Sequence, residues 1–195
     1  MALPIANVAK YELTLPSQQK TVSFRPFLVK EEKILLVALE SGKPEEMLTA
    51  VKEIVKACTF GVVEPDEYPI FDIEYIFLNI RAKSVGEIAK LKVLCPDDKK
   101  SYGNVDVDLT KVEVYVDDTH NNNIVLDESR KLGVVLKYPS LKVIDSGILG
   151  DNIKVSAMYD LIKKSVDHIY EGDKTYYAKD STPQELTDFV DNLTG

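Results

Sequence analysis

Two short runs of alternating apolar and polar residues open the chain. They span 10–15 (KYELTL) and 20–25 (KTVSFR), and four turn residues beginning with Pro16 lie between them. Alternation on both sides of a turn predicts a β-hairpin. Pro26 is expected to end the second strand, because proline has no N–H to donate to a strand ladder.

Helical periodicity then replaces the alternation. Apolar residues recur at helical spacing over 28–41 and again over 44–58, which predicts two helices. Gly42 suits a left-handed position just after the first helix, and Pro44 suits the first turn of the second. A connection this short favours an antiparallel helical hairpin.

The stretch FDIEYIFLNIRAKSVGE at 71–87 combines an apolar run with a basic end. Its first two-thirds is apolar nearly all round, which predicts a central, buried helix over about 70–83. Acidic residues lie in its first turns, and Arg81 and Lys83 lie in its last. That polarity complements the helix dipole, so it needs no ligand to explain it.

The middle of the chain returns to alternation. Apolar residues alternate over 87–95, at odd positions over 105–109 and at even positions over 112–116. Strand side chains alternate strictly, so the change of parity predicts a bulge or break between the last two runs. A further strand is predicted at 132–138.

The C-terminal part is predicted to be mostly helical. An apolar stripe at helical spacing runs over 155–169, and a turn at 171–173 precedes a short extended piece at 175–177. Thr182 reads as the cap of a last helix, and Glu185, three residues later, completes a capping box.

These elements predict an α+β fold with an N-terminal β-hairpin and helical unit, a β-rich middle of antiparallel strands, and C-terminal helices. We expect a single compact protein over 1–195, with parts at 1–86 (hairpin plus helices), 87–145 (β-rich) and 146–195 (mainly helical). Core residues are expected in the stripes at 34–39, 47–58, 70–80 and 155–169.

Charge and composition narrow the classes of partner. The 195 residues carry a net charge of −8 and a pI of about 4.9, whereas phosphate binding needs a basic face, so we expect no nucleic acid partner. No apolar run approaches the ~20 residues of a membrane helix, and the first residues lack the pattern of a signal peptide. Two distant cysteines, Cys58 and Cys95, suit a reducing compartment.

Metal ligands are sparse. Cys95 with Asp97 and Asp98 forms half of a zinc knuckle, but a structural zinc site takes four Cys or His ligands, and a free cysteine at a strand end is favoured. The acidic groups of the middle lack the order of an EF-hand calcium loop. Asp106 and Asp108 alternate with apolar residues and are better explained as the solvent face of a strand.

No pattern of residues favours catalysis. Cys58 lies on the apolar stripe of its helix, so it is predicted to be buried and inert. His168 follows Asp167, but adjacent residues of a helix do not face each other. The sequence has no nucleophile elbow, phosphate loop or dinucleotide fingerprint. We therefore expect no catalytic residue, no metal, no cofactor and no enzyme activity.

Aromatic residues flank two turns. Phe24 and Phe27 lie near the first, and Tyr176 and Tyr177 near the second. Tyrosine is favoured at interfaces because it combines a large contact area with a polar group. Ordinary packing against the core is the alternative, and exposure of Arg25 or Phe27 would favour an interface.

Three longer segments carry a family resemblance. They are FRPFLVKEEKILL at 24–36, FDIEYIFLNIRAKSVGE at 71–87 and, after the β-rich middle, LIKKSVDHIYEGD at 161–173. Their order resembles a baseplate hub protein of T-even-type contractile-tail bacteriophages, the small hub subunit often described as a hub assembly protein. The likeness covers most of the chain. Some relatives carry paired cysteines in the hairpin after the second segment, whereas Cys95 has no nearby cysteine.

The resemblance implies a structural subunit of the baseplate hub that acts in tail baseplate assembly through contacts with other hub proteins. It implies the host cytoplasm during assembly and the virion tail baseplate afterwards. The alternatives are a transient assembly chaperone absent from the mature virion and an enzyme with an unrecognised site. Partner contacts are expected among Arg25, Phe27, Arg81, Lys83, Tyr176 and Tyr177.

Overall fold

The computed structural model describes residues 7–117, 119–143 and 155–193. The fold is α+β, as predicted, and the chain divides into two compact units, Met1–Tyr115 and Val116–Gly195. The boundary lies inside the part predicted to be β-rich. The expectation of one compact protein over the whole length stays a prediction. Within the described residues, no helix is both long and apolar enough to cross a membrane.

The first unit is built from two antiparallel hairpins of strands and three helices. In chain order these are β1 (Tyr11–Thr14), β2 (Thr21–Phe24), α1 (Val29–Ser41), α2 (Pro44–Cys58), α3 (Ile70–Val85), β3 (Ile88–Leu94) and β4 (Tyr102–Asp108). Strand β1 pairs with β2, and β3 pairs with β4. Helix α2 packs against both α1 and α3.

The described residues of the second unit form a four-stranded antiparallel sheet and two α-helices. Its elements are β5 (Asn123–Asp127), β6 (Leu132–Leu136), α4 (Val155–Ser165), β7 (Val166–Glu171), β8 (Lys174–Tyr177) and α5 (Pro183–Asp191). The strands lie in the order β5-β6-β7-β8. Helices α4 and α5 contact each other.

Local signals at the turns and caps are confirmed. Gly42 follows α1 with φ of +66°, and its N–H donates to the carbonyl of Leu39 at 3.2 Å. Pro44 lies in the first turn of α2. At α5, the Thr182 hydroxyl and Glu185 form the predicted capping box.

Helix α3 is central to the first unit, as predicted. Between Ile70 and Ser84 it exposes Glu74 alone to solvent. Its fully buried side chains include Ile73, Ile76 and Ile80. Further buried residues of this unit lie in β1, β2 and α2 and in the turn that follows β1, namely Leu13, Leu15, Val22, Phe24, Ile54, Val55 and Cys58.

The prediction that 34–39 forms core is largely wrong. In α1 the buried residues are Glu31 and Ala38, while Leu36, Val37 and Leu39 are exposed. The stripe at 34–39 spreads around most of the helix, so burial of one side against α2 leaves the other apolar side chains outside.

The β-rich middle is confirmed in part. Strand β3 matches the predicted run at 87–95. Strand β4 begins three residues before the predicted run at 105–109 and ends at Asp108, and the predicted break is a short 3-10 turn, Leu109–Lys111. The Asp108 carboxylate starts this turn by accepting from the Thr110 N–H at 3.0 Å. The predicted strand at 112–116 is wrong: alternation is present, but those residues pair with no strand in the described chain.

The sequence does not predict strand β5. Its apolar stretch, 124–126, is short and follows directly on three asparagines, 121–123, which are typical of a loop. Residues Asn123–Asp127 become a strand through pairing with β6, which is part of the strand predicted at 132–138. A ladder partner, rather than local pattern, determines this element.

The helix predicted to continue to Ile169 ends at Ser165. The Ser165 carbonyl accepts from the Lys137 N–H at 2.8 Å, and from Val166 the chain pairs with β6 as strand β7. Buried residues of the stripe 155–169 are Ala157 and Val166, while Met158 and Ile162 are exposed. Residues 144–154 lie outside the described residues; they include the end of the part predicted as β-rich (144–145) and the start of the part predicted as mainly helical (146–154).

Candidate partner-binding surfaces

Arg25 lies at the end of β2, and its guanidinium is bound inside the first unit. Nη2 is 2.9 Å from Glu31 Oε1, and Nη1 donates to the Pro26 carbonyl at 2.9 Å. The Arg25 N–H donates to the Cys58 carbonyl at 3.0 Å. With 12% of its side chain exposed, Arg25 joins β2, α1 and α2 and has little surface to offer a partner.

Glu31 supplies the negative charge of this cluster. Its carboxylate also accepts from the Leu28 N–H at 2.7 Å, which satisfies an N–H at the start of α1. Burial works to raise the pKa of Glu31, but the hydrogen bonds from Arg25 and Leu28 outweigh it and leave the pKa below its ordinary value. The same carboxylate raises the pKa of Arg25.

Cys58 borders the cluster and is not exposed. Arg25 Nη1 lies 3.7 Å from its Sγ. Burial raises the pKa of the Cys58 thiol to about 11, although Arg25 opposes the shift. The thiol is therefore protonated near neutral pH, as expected for an inert buried cysteine.

Residues 81–87 (RAKSVGE), here called the RAKSVGE junction, connect α3 to β3 and contact the segment that follows β2. The Ser84 hydroxyl accepts from the Phe27 N–H at 2.9 Å and donates to the Ile80 carbonyl at 2.6 Å. Arg81 donates to the Gly86 carbonyl at 3.1 Å. Lys83 pairs with Glu87 at 2.5 Å and lies over the Tyr11 ring. These contacts position the junction, and Phe27 is half-buried against it.

A buried carboxylate that sequence reasoning missed fixes the other end of α3. Asp72 is not exposed, its Oδ1 accepts from the Ser17 N–H at 3.1 Å, and its Oδ2 accepts from the Ser17 hydroxyl. The β1–β2 turn is thereby attached to the first turn of α3. Asp72 and Ser17 are 55 positions apart, so no local signal could reveal the pair.

Tyr176 and Tyr177 lie on opposite faces of β8 and are about half exposed. The Tyr177 ring centroid lies 5.5 Å from that of His168, and Lys179 Nζ lies over the Tyr177 ring, 5.4 Å from its centroid. Tyr176 lines a cleft beside α5 with Leu186. Both tyrosines stay predicted partner contacts.

The expectation that Asp167 and His168 do not meet is wrong. His168 Nδ1 lies 2.8 Å from Asp167 Oδ2. The two residues are in β7, where the register shifts between Val135 and Leu136 so that Asp167 is an extra, bulged residue. A bulge can turn adjacent side chains toward the same side, which a helix does not.

Cys95 lies at the start of the β3–β4 turn. Its N–H donates to the Ser101 carbonyl at 2.8 Å. Asp98 accepts from the Lys100 and Ser101 N–H groups at 2.9 Å, and the Ser101 hydroxyl and these N–H groups lower the pKa of Asp98 to about 2. Asp98 therefore shapes the turn, and no cluster of three metal-binding side chains occurs in the described residues.

Helix α1 exposes several large apolar side chains on its outward side. Val29 is 80% exposed, and Leu36, Val37 and Leu39 are each more than half exposed. A groove of about 360 Å³ lies between α1 and α2, and it is lined by apolar residues (Ile34, Val37, Ala38, Ala50) and by polar ones (Lys33, Glu46, Thr49, Glu53). This side of α1 is therefore a candidate partner-binding surface.

Comparison with known proteins gives one match. A family model described as "T4 bacteriophage base plate protein" matches residues 8–195. No curated protein and no solved structure matches the chain.

The match covers nearly the whole described chain, including the α1 face and the RAKSVGE junction. A baseplate family indicates the tail baseplate of a virion as the location and other baseplate proteins as neighbours. It also argues against an enzyme. The chain belongs to the family of T4 bacteriophage base plate proteins.

Proposed function

We propose that this protein is a structural subunit of the baseplate hub and acts in tail baseplate assembly through contacts with other hub proteins. The observation that carries the proposal is the exposed apolar face of α1, defined by Val29, Leu36, Val37 and Leu39. Full burial of one such side chain contributes roughly 1.5–3 kcal/mol. Full covering of these four side chains, which are 54–80% exposed, would supply at most roughly 4–8 kcal/mol to an interface.

The attachment of α1 to the rest of the first unit supports a docking role for its apolar face. Helix α1 is held rigidly, because the Arg25–Glu31 pair joins its first turn to β2 and α2. A rigid surface loses little conformational entropy when a partner binds. Tyr176 and Tyr177 of the second unit are proposed as further contacts.

The composition of purified virions tests this function. A hub subunit is expected in mature particles at a fixed ratio to the other baseplate proteins, measured by quantitative mass spectrometry. Absence from mature particles would overturn the structural subunit and favour a transient assembly chaperone.

A pair of variants tests the surface. We expect Leu36→Glu with Leu39→Glu to fold with a Tm close to that of the unaltered protein, because both residues are exposed, and to be lost from particles. Val62→Glu is the matched control, since Val62 is equally exposed but lies outside α1. Normal incorporation of the α1 variant would remove this face from the proposal.

A further inference from the structure

The β3–β4 hairpin has one apolar face and one charged face, which also carries Ile88, Leu94 and Tyr102 at its two ends. Its seven-residue strands pair over their whole length, from Ile88 opposite Asp108 to Leu94 opposite Tyr102. On the apolar face Leu91 lies opposite Val105. On the charged face Lys90 lies opposite Asp106, with Lys92 further along the strand.

The first unit covers the apolar face at one end only. Ala89 and Leu109 are buried with Ala82 of α3, and Leu78 and Val107 pack against them. Beyond that cluster the same face continues through three exposed side chains, those of Leu91, Val93 and Val105. The face is therefore continuous with the core but lacks a cover over its outer half.

A two-stranded sheet is marginally stable in water unless further strands or a packed surface complete it. Within the described residues β3 and β4 pair only with each other. The outer edge of β3 thus presents backbone N–H and C=O groups along seven residues, of which only Ala89 is buried. Such an edge is a template for another strand.

The two edges differ in charge. Strand β3 carries Lys90 and Lys92, whereas β4 carries Asp106 and Asp108. Within the described part of the chain, neither lysine forms an ion pair, although Lys92 lies over the Tyr102 ring at 5.3 Å. Asp108, in contrast, is held by Thr110 and Lys111.

We propose that the outer edge of β3 binds an extended segment of a neighbouring baseplate protein, in which apolar residues alternate with acidic residues. The apolar side chains cover Leu91 and Val93, and the acidic side chains lie beside Lys90 and Lys92. Backbone hydrogen bonds supply affinity, and the alternating side chains supply specificity. This inference rests on the proposed function, because it assumes that the chain works by contact with baseplate proteins.

A second copy of the chain fits this edge poorly. Two β3 edges in a symmetric pair would bring the lysines of both copies together, and like charges on adjacent strands are unfavourable. Pairing of β3 with β4 of the next copy would match the charges but would be heterologous and would not close into a dimer.

Peptide titration followed by amide NMR tests the proposal. The probe is an end-blocked seven-residue peptide that alternates valine and glutamate, and its control alternates valine and lysine. We expect the glutamate peptide to shift the amide signals of Ile88–Leu94 and to bind about tenfold more tightly than the control at low salt.

Charge variants provide the matched controls. Lys90→Glu with Lys92→Glu is expected to reverse the preference between the two peptides, and Lys90→Gln with Lys92→Gln is expected to abolish it. Lys90 and Lys92 are both exposed, and thermal unfolding of each double variant checks that it folds.

Three results would overturn the inference. They are equal binding of both peptides, shifts confined to β4, and a concentration-dependent dimer whose β3 amides are protected without peptide. Virion composition is measured separately from peptide binding. A failed titration therefore does not affect the proposed hub function, and absence from virions does not affect the test of the β3 edge.

Discussion

The Arg25–Glu31 cluster allows a sharp test of how the N-terminal half is held together. Glu31→Gln keeps the size of the side chain but removes its charge. An amide oxygen can accept from either Arg25 or the Leu28 N–H, whereas the carboxylate accepts from both, at 2.9 and 2.7 Å. The side-chain nitrogen of Gln would face either the Arg25 guanidinium or the Leu28 N–H, both of which are donors. One of these two donors would therefore lose its acceptor.

The expected loss in the free energy of unfolding is about 2–4 kcal/mol. A buried donor left without an acceptor costs roughly 1–3 kcal/mol. Removal of one partner of a fully buried ion pair costs roughly 3–5 kcal/mol. The Arg25 side chain is 12% exposed and keeps the Pro26 and Ala57 carbonyls, so the middle of these ranges applies.

The same cluster predicts a dependence on pH. The pKa of Glu31 in the folded protein lies below its ordinary value of 4.5. Its contribution is therefore fully present above about pH 4.5 and is lost as the pH falls through the lower, folded value. The difference in stability between the unaltered protein and Glu31→Gln should be constant near neutral pH and should shrink in acid.

Urea unfolding by circular dichroism measures the loss, and amide exchange of Val29–Ser41 assigns it to the first unit. Glu32→Gln is the matched control, because Glu32 is the next residue in the same helix but is exposed. We expect the control to change stability by less than about 0.5 kcal/mol. An equal, small effect of both changes would refute the stabilising role of the cluster.

Three further predictions concern buried or capping residues. Ile76→Ala should cost about 2–5 kcal/mol in urea unfolding, because Ile76 is fully buried, whereas Val85→Ala in the same helix should be nearly neutral. Thr182→Ala should destabilise α5 by about 1 kcal/mol, seen as faster amide exchange there and nowhere else. A thiol reagent should modify Cys95 in the folded protein but Cys58 only on unfolding, since Cys58 is buried with a pKa of about 11.

The sequence predicts correctly those caps and breaks that depend on residues only a few positions apart. The Gly42 cap, the Thr182–Glu185 capping box and the break after Asp108 all depend on neighbours within four positions. The central burial of α3 also follows from the sequence, because a helix that is apolar on nearly every side has few stable places outside a core.

Site residues were harder to interpret. The sequence predicts a role for Arg25 in partner contact or in local positioning, and in the structure Arg25 positions β2 and α1 through Glu31, six residues away. The sequence does not predict that Asp72 and Ser84 act as hydrogen-bond acceptors, because each binds a backbone N–H more than 50 positions away. The sequence around a polar helix residue does not indicate a hydrogen-bond partner that lies so far away along the chain.

The strand assignments show the same division most clearly. Residues 112–116 alternate as a strand should but have no ladder partner in the described chain, whereas 166–169 have helical spacing but pair with β6. Which alternating segments become strands depends on backbone hydrogen bonds between distant residues. The local pattern along the chain therefore determines caps, turns and the central helix, while the tertiary structure decides strand pairing, the burial of Arg25 and the exposure of the α1 and β3 surfaces.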